Sequence, residues 1–153
     1  LLGIGAVAAV LMRPDAGNTA DVPAWEVLLT SAHQANGAAH SSIVVCGAHQ
    51  GQAAFVAVHG KSAKVRNLRR DPRCSVLAVS KTWHSWVTVE GEARLFDYDN
   101  TDAEEVRKLL REVYRACGDK DHPDWEEYDR AMRAQEGVVV LVRPDRVYGQ
   151  VRE

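Results

Sequence analysis

The sequence predicts a mainly β, α+β domain built as a small barrel of mostly antiparallel strands, and three observations carry that expectation. Short runs rich in β-branched residues recur between turn signals, as in HSSIVVC, GQAAFVAV and CSVLAV. Residues 85–96, SWVTVEGEARLF, set Val87, Val89, Gly91, Ala93 and Leu95 against Trp86, Thr88, Glu90, Glu92 and Arg94. That is the period of one long, half-buried strand, long enough to form a barrel wall. Helical periodicity is confined to a short basic segment in the middle of the chain and to two segments before the last strand.

Taken in order, residues 1–24 admit two readings, a buried helix stopped before Pro14 or a strand followed by an RPDAG turn. The domain proper is expected over residues 25–153. WEVLLTSAH is strand-like, Asn36-Gly37 supplies a hairpin turn, and HSSIVVC resumes as the second strand. GQAAFVAV gives a third strand. Ser62 is placed to cap a short helix that turns Val65 and Leu68 inward and ends near Arg70, because Pro72 makes Asp71 a poor helical residue. CSVLAV and SWVTVEGEARLF are the fourth and fifth strands. Thr101 with Glu104 forms a capping-box pattern, and Val106, Leu109, Leu110, Val113, Tyr114 and Cys117 share one helical face that ends at Gly118. His122-Pro123 opens a second helix with Trp125, Tyr128 and Met132 on one side, and GVVVLVRPDRVYG closes the fold as a sixth strand.

Composition narrows the function. A chain of 153 residues with 46% apolar residues fits one domain and can bury a core without disulfides or metal. Its formal charge of −2 argues against a protein that coats nucleic acid. Three cysteines, Cys46, Cys74 and Cys117, are odd in number and widely spaced, which favours reduced thiols and a cytoplasmic setting. The apolar run LLGIGAVAAVLM is shorter than the roughly 20 residues that span a bilayer, so no membrane span is expected. The six histidines form no metal-ligand pair, no metal site is expected, and no Ser-His-Asp or Cys-His arrangement is legible. Catalytic residues stay unassigned.

The positive charge is local. HGKSAKVRNLRRDPR holds two lysines and four arginines around the short helix. A helix N-terminus offers backbone N–H groups and partial positive charge to a phosphate, and Lys61 and Lys64, three residues apart, can clamp the same anion. Asn67 continues that line and can hydrogen-bond phosphate or ring oxygens. The other reading of the same residues is a solvated face whose arginines, Arg69 and Arg70 among them, pair with acidic groups.

The basic helix, the DPRCSVLAV strand, the WVTVEGEARL strand, the HPDWEEYDRAM helix and the closing V-x-P-x-x-V-Y-G together resemble the flavin-binding split-barrel superfamily of pyridoxamine 5'-phosphate oxidase-like proteins. More narrowly they resemble its actinobacterial branch, which uses the deazaflavin coenzyme F420. The resemblance implies a split β-barrel of six or so strands with a short phosphate-binding helix and two peripheral helices. It also implies a homodimer with the coenzyme cleft at the subunit interface. Lys64 and Asn67 match the family's K-x-x-N core, with Lys61 and Ser62 as further phosphate contacts. Ser41 and Ser42 fall on the strand that lies along the flavin, and Trp86 opens the strand that presents aromatic groups near the ring. The activity implied is hydride transfer between F420 and a small unsaturated or conjugated substrate. FMN chemistry of the pyridoxamine-phosphate-oxidase type, or binding of a flavin, deazaflavin or haem without turnover, are the alternatives. Arginine outnumbers lysine 14 to 5, which fits the actinobacteria and favours F420.

Overall fold

The structure, a computed structural model, describes residues 26–31, 35–79, 83–118 and 120–150. The expectations for residues 1–24 and for Trp25 lie outside them. The described chain runs β1 (Glu26–Ser31), β2 (His40–Ile43), β3 (Cys46–His49), β4 (Gln52–Ala57), α1 (Ala63–Arg70), β5 (Arg73–Val79), β6 (Trp86–Phe96), α2 (Ala103–Gly118), α3 (Trp125–Ala134) and β7 (Val138–Gln150). The seven strands form one sheet in the order β2-β1-β5-β6-β7-β4-β3, and every pair is antiparallel.

That order forces the sheet to roll up. Its two edge strands, β2 and β3, are joined only by Val44 and Val45, a link that reaches at most about 11 Å. Seven strands laid flat at ~4.8 Å spacing hold their edges about 29 Å apart. The sheet therefore curls until its edges nearly meet, yet β2 and β3 do not pair, which gives an α+β split barrel. The expected single strand HSSIVVC is thus two strands with a break at Val44-Val45. Val44 is buried at this seam while Ile43 and Val45 point outward. β3 and β4 then form a hairpin across Gln50 and Gly51, both at positive φ (49° and 74°), the backbone of a two-residue turn that matches strand twist.

Two apolar clusters flank the sheet. Inside the barrel, Phe55, Val76, Val87, Val89, Val138 and Val140 pack together, and Val65 and Leu68 of α1 plug the end. Outside, Ala54, Val139 and Leu141 pack against Val106, Leu110 and Val113 of α2 and Tyr128 and Met132 of α3. Both faces of early β7 are covered, which is why GVVVLV is continuously apolar and does not alternate. Late β7 becomes exposed as it leaves the helices. At Glu90/Gly91 the β6–β7 register shifts, and a Cβ on Gly91 would lie 1.8 Å from the Arg143 carbonyl oxygen. The bulge places Pro144, which lacks an N–H, opposite Gly91.

Helix starts differ from the sequence expectation by one to a few residues. Asp102, not Thr101, caps α2: its Oδ2 accepts from the Glu104 and Glu105 N–H groups at 3.1 and 3.3 Å, while the Thr101 hydroxyl donates to Asn100. α3 is capped by Asp124, whose Oδ1 accepts from the Glu127 N–H at 3.0 Å, and so begins at Trp125, past His122-Pro123.

Candidate functional site

α1 packs against β1 and carries three different surfaces. Val65 and Leu68 face the core. At about 100° per residue, Lys64 and Asn67 lie on one flank, and Arg66 and Arg69 on the opposite flank. Asn67 is buried and its Oδ1 accepts from Arg70 at 3.3 Å. Lys64 is half-buried.

Ser62 is the N-cap of α1, but its hydroxyl makes no capping bond. The hydroxyl oxygen is buried and has no hydrogen-bond partner among the described residues. An N-cap serine ordinarily accepts from its own helix's N2 or N3 N–H; here that group is left for something else. The first turn of α1 holds no acidic residue, whereas α2 and α3 begin with Glu104-Glu105 and Glu126-Glu127. The helix's partial positive charge is therefore not neutralised from within. An orphaned buried hydroxyl, a half-buried lysine and unneutralised helix N–H groups suit a phosphate, so the residues fit the phosphate end of a flavin or deazaflavin.

Lys61 is not part of that arrangement. Its side chain is 85% exposed and pairs with Glu136 at 3.1 Å, and it lines a groove of about 630 Å³ on the arginine flank with Arg66, Arg69, Asp97, Tyr98 and Arg133. Two of its cations are ion-paired, Lys61 with Glu136 and Arg69 with Asp97 at 2.5 Å, while Arg66 donates to the Lys61 carbonyl at 2.8 Å and Arg133 lies 4.7 Å over the Tyr98 ring. Arg69 pairs with an acidic group, Asp97, as the solvated-face reading expects, whereas Arg70, also exposed, donates to the neutral Asn67 side chain.

The two serines of β2 part company. Ser42 is in register through Leu29 with buried Val76, and its hydroxyl is buried without a hydrogen-bond partner among the described residues; strand alternation puts it on the barrel's inner face. Ser41 is exposed, on the outer face, in the row of Ser75, Glu90 and Arg146. A second groove of about 590 Å³ runs along that face past Arg73, Ser75, Glu90 and Arg146. Trp86, at the start of β6 and outside that groove, is half-buried against the barrel's apolar cluster, with its ring 6.0 Å from Tyr148 in an edge contact. The Tyr148 hydroxyl donates to Glu90 at 2.9 Å and Arg146 lies 4.6 Å over the tyrosine ring. The sequence reading singled out Trp86 alone of these residues. It did not connect Trp86 with Tyr148 and Glu90, and only the β6–β7 register brings the three together.

The cysteines are free. Burial pushes the Cys46, Cys74 and Cys117 thiols up to about 12, with Cys117 adding to the effect on Cys46, so none is a ready nucleophile. Among the described residues no three His, Cys, Asp or Glu side chains converge as metal ligands, and no helix is long and apolar enough to cross a membrane.

A family model described as pyridoxamine 5'-phosphate oxidase matches residues 26–150. Among solved structures, a conserved hypothetical protein from Mycobacterium tuberculosis is similar at 20% identity and a TM-score of 0.65, over 86% of this chain and 78% of that one. A pyridoxamine 5'-phosphate oxidase-related, FMN binding protein from Nostoc punctiforme is 15% identical with a TM-score of 0.62, over 95% and 82%. An F420 reductase is 15% identical with a TM-score of 0.54, over 92% and 94%. At these identities the structural likenesses establish the fold.

Proposed function

Because the chain belongs to the pyridoxamine 5'-phosphate oxidase family, we propose that it is a cytoplasmic oxidoreductase that binds coenzyme F420 and acts on a small unsaturated or conjugated substrate. The observation that carries the binding site is the buried, unpartnered Ser62 hydroxyl at the head of a helix whose first turn lacks acidic residues. Ser62, Lys64 and the first N–H groups of α1 hold the phosphate, and Asn67 braces that flank from its buried position. When bound, the deazaflavin supplies hydride transfer; the protein supplies orientation and a water-poor surface.

Trp86 and Ser41 belong to the outer face of the sheet, where Leu77 and Val79 are half-buried and Ile43 is 79% exposed. A homodimer that covers this face completes the cleft, with Trp86 and Tyr148 against the ring. Ser42, turned inward, supports the barrel wall behind it, and Lys61 contributes only to the field around the site. FMN is the second reading, favoured by the family's description and by the name of the Nostoc punctiforme relative. Binding of either coenzyme without turnover is the third.

Lys64→Ala tests the anchor. A charge-assisted phosphate contact is worth about 1.5–3 kcal/mol, so coenzyme affinity falls by about tenfold or more in a fluorescence titration. Unchanged affinity in a folded variant moves the phosphate elsewhere. Oxidation of reduced F420 across a panel of unsaturated acceptors separates enzyme from carrier, and coenzyme that binds but is never oxidised refutes the enzyme.

A further inference from the structure

We propose that Asp97, acting through Arg69, is a positioning residue that sets the pose of α1 and thereby of its coenzyme-phosphate donors, an inference that rests on the coenzyme reading above. Asp97 follows β6 directly and is only 5% exposed. One carboxylate oxygen accepts from the Asp99 and Asn100 N–H groups at 2.8 and 3.0 Å, and the other accepts from Arg69 at 2.5 Å. The turn that holds it is closed by further bonds: the Asp97 N–H donates to Asn100 Oδ1 at 2.9 Å, and Asn100 Nδ2 donates to the Leu95 carbonyl at 2.8 Å. A carboxylate fixed this firmly is a rigid post.

Arg69 sits in the last turn of α1, so the post anchors the helix's C-terminal end. The other end is tied to the α3–β7 turn, where the Gly60 N–H donates to the Gln135 carbonyl at 3.1 Å and Lys61 pairs with Glu136. Gly60 is so close to that turn that a Cβ would lie 2.0 Å from the Glu136 carbonyl oxygen. All these ties fall at the ends or on the arginine flank. They leave the opposite flank, with Lys64, clear for a ligand. A helix of eight residues is marginal alone, and the barrel contacts of Val65 and Leu68 restrain its depth better than its rotation or slide.

The sign of the electrostatics makes the proposal testable. Asp97→Asn removes a negative charge near an anion site, so a pure charge effect strengthens coenzyme binding, whereas loss of the latch weakens it. Titrations with F420 and with FMN are run on the wild type, Asp97→Asn, Arg69→Ala and Arg69→Lys, with Arg111→Ala, which breaks the α2–α3 ion pair to Asp129, as a control for general destabilisation. The latch predicts about fivefold weaker binding for both Asp97→Asn and Arg69→Ala, recovery to within about twofold in Arg69→Lys, and no change in Arg111→Ala. Tighter or unchanged binding in folded Asp97→Asn overturns it. Should Asp97→Asn fail to fold, Asp97→Glu, which keeps the charge and displaces the carboxylate, decides: weaker binding supports the latch, and wild-type affinity in it or in Arg69→Ala overturns the latch. Binding of neither coenzyme by the wild type refutes the coenzyme reading and takes the latch with it, an outcome distinct from failure of the latch alone.

Discussion

Replacing Ser62 with alanine separates a structural cap from a ligand-binding group, because the two roles predict opposite results. An N-cap serine that bonds its helix loses about 1 kcal/mol on change to alanine. Ser62 makes no such bond, and its buried hydroxyl has no partner among the described residues. A buried hydroxyl left unsatisfied costs about 1–3 kcal/mol, so removing it leaves the coenzyme-free protein unchanged or more stable by up to about 3 kcal/mol. For a chain of this size that is a Tm shift of between 0 and about +12 °C. In the complex, loss of a hydrogen bond to a charged phosphate costs about 1.5–3 kcal/mol, and coenzyme affinity falls by about tenfold or more. Differential scanning calorimetry without ligand and a fluorescence titration with F420 read the two halves. A fall in Tm of several degrees with unchanged affinity makes Ser62 an ordinary cap and refutes the reasoning.

Two further predictions concern how α1 is held. Gly60→Ala forces a methyl group onto the Glu136 carbonyl oxygen, 2.0 Å away; relief requires the chain entering α1 to shift, at about 1–3 kcal/mol, and both Tm and coenzyme affinity fall. Wild-type values for both would show that the approach is looser than the structure has it. The second concerns pH. Burial alone would raise the Asp97 carboxyl, but the Arg69 guanidinium and the N–H groups of Asp99 and Asn100 outweigh it and hold it below the usual carboxylate range. A group with a depressed folded pKa contributes stability that is present above its unfolded pKa, about 3.9, and lost as pH falls through the folded value. Urea unfolding between pH 6 and pH 2.5 therefore shows stability falling more steeply below about pH 4 in the wild type than in Asp97→Asn. Parallel curves would show that Asp97 is not the titrating group.

The parts of the fold legible in the sequence are those that local periodicity determines. Alternation in SWVTVEGEARLF gave β6, and the spacing of Val106, Leu110 and Val113 gave the buried face of α2. Pro72 gave the end of α1. What was not legible depends on pairing across the chain. HSSIVVC is uniformly strand-like, and nothing local reveals that Val44-Val45 carries the chain from one sheet edge to the other. For the same reason Ser41 and Ser42 could not be assigned to faces until β2 was placed beside β1. At the candidate site, helix spacing set Lys64 and Asn67 on one line and the family resemblance added Ser62, whereas the pairing of Lys61 with Glu136 needed the α3–β7 turn to be located. Asp97 was hidden among the acidic residues of FDYDNTD, where only the turn geometry distinguishes the buried carboxylate from its exposed neighbours.

The central claim is that the head of α1 is the phosphate anchor of a deazaflavin site, and its most direct test is a fluorescence titration of the wild-type protein with coenzyme F420 and, separately, with FMN. Saturable binding of F420, tighter than that of FMN and weakened by Lys64→Ala, is the expected result. Tighter binding of FMN contradicts the choice of coenzyme while leaving the anchor in place, and binding of neither contradicts the anchor itself.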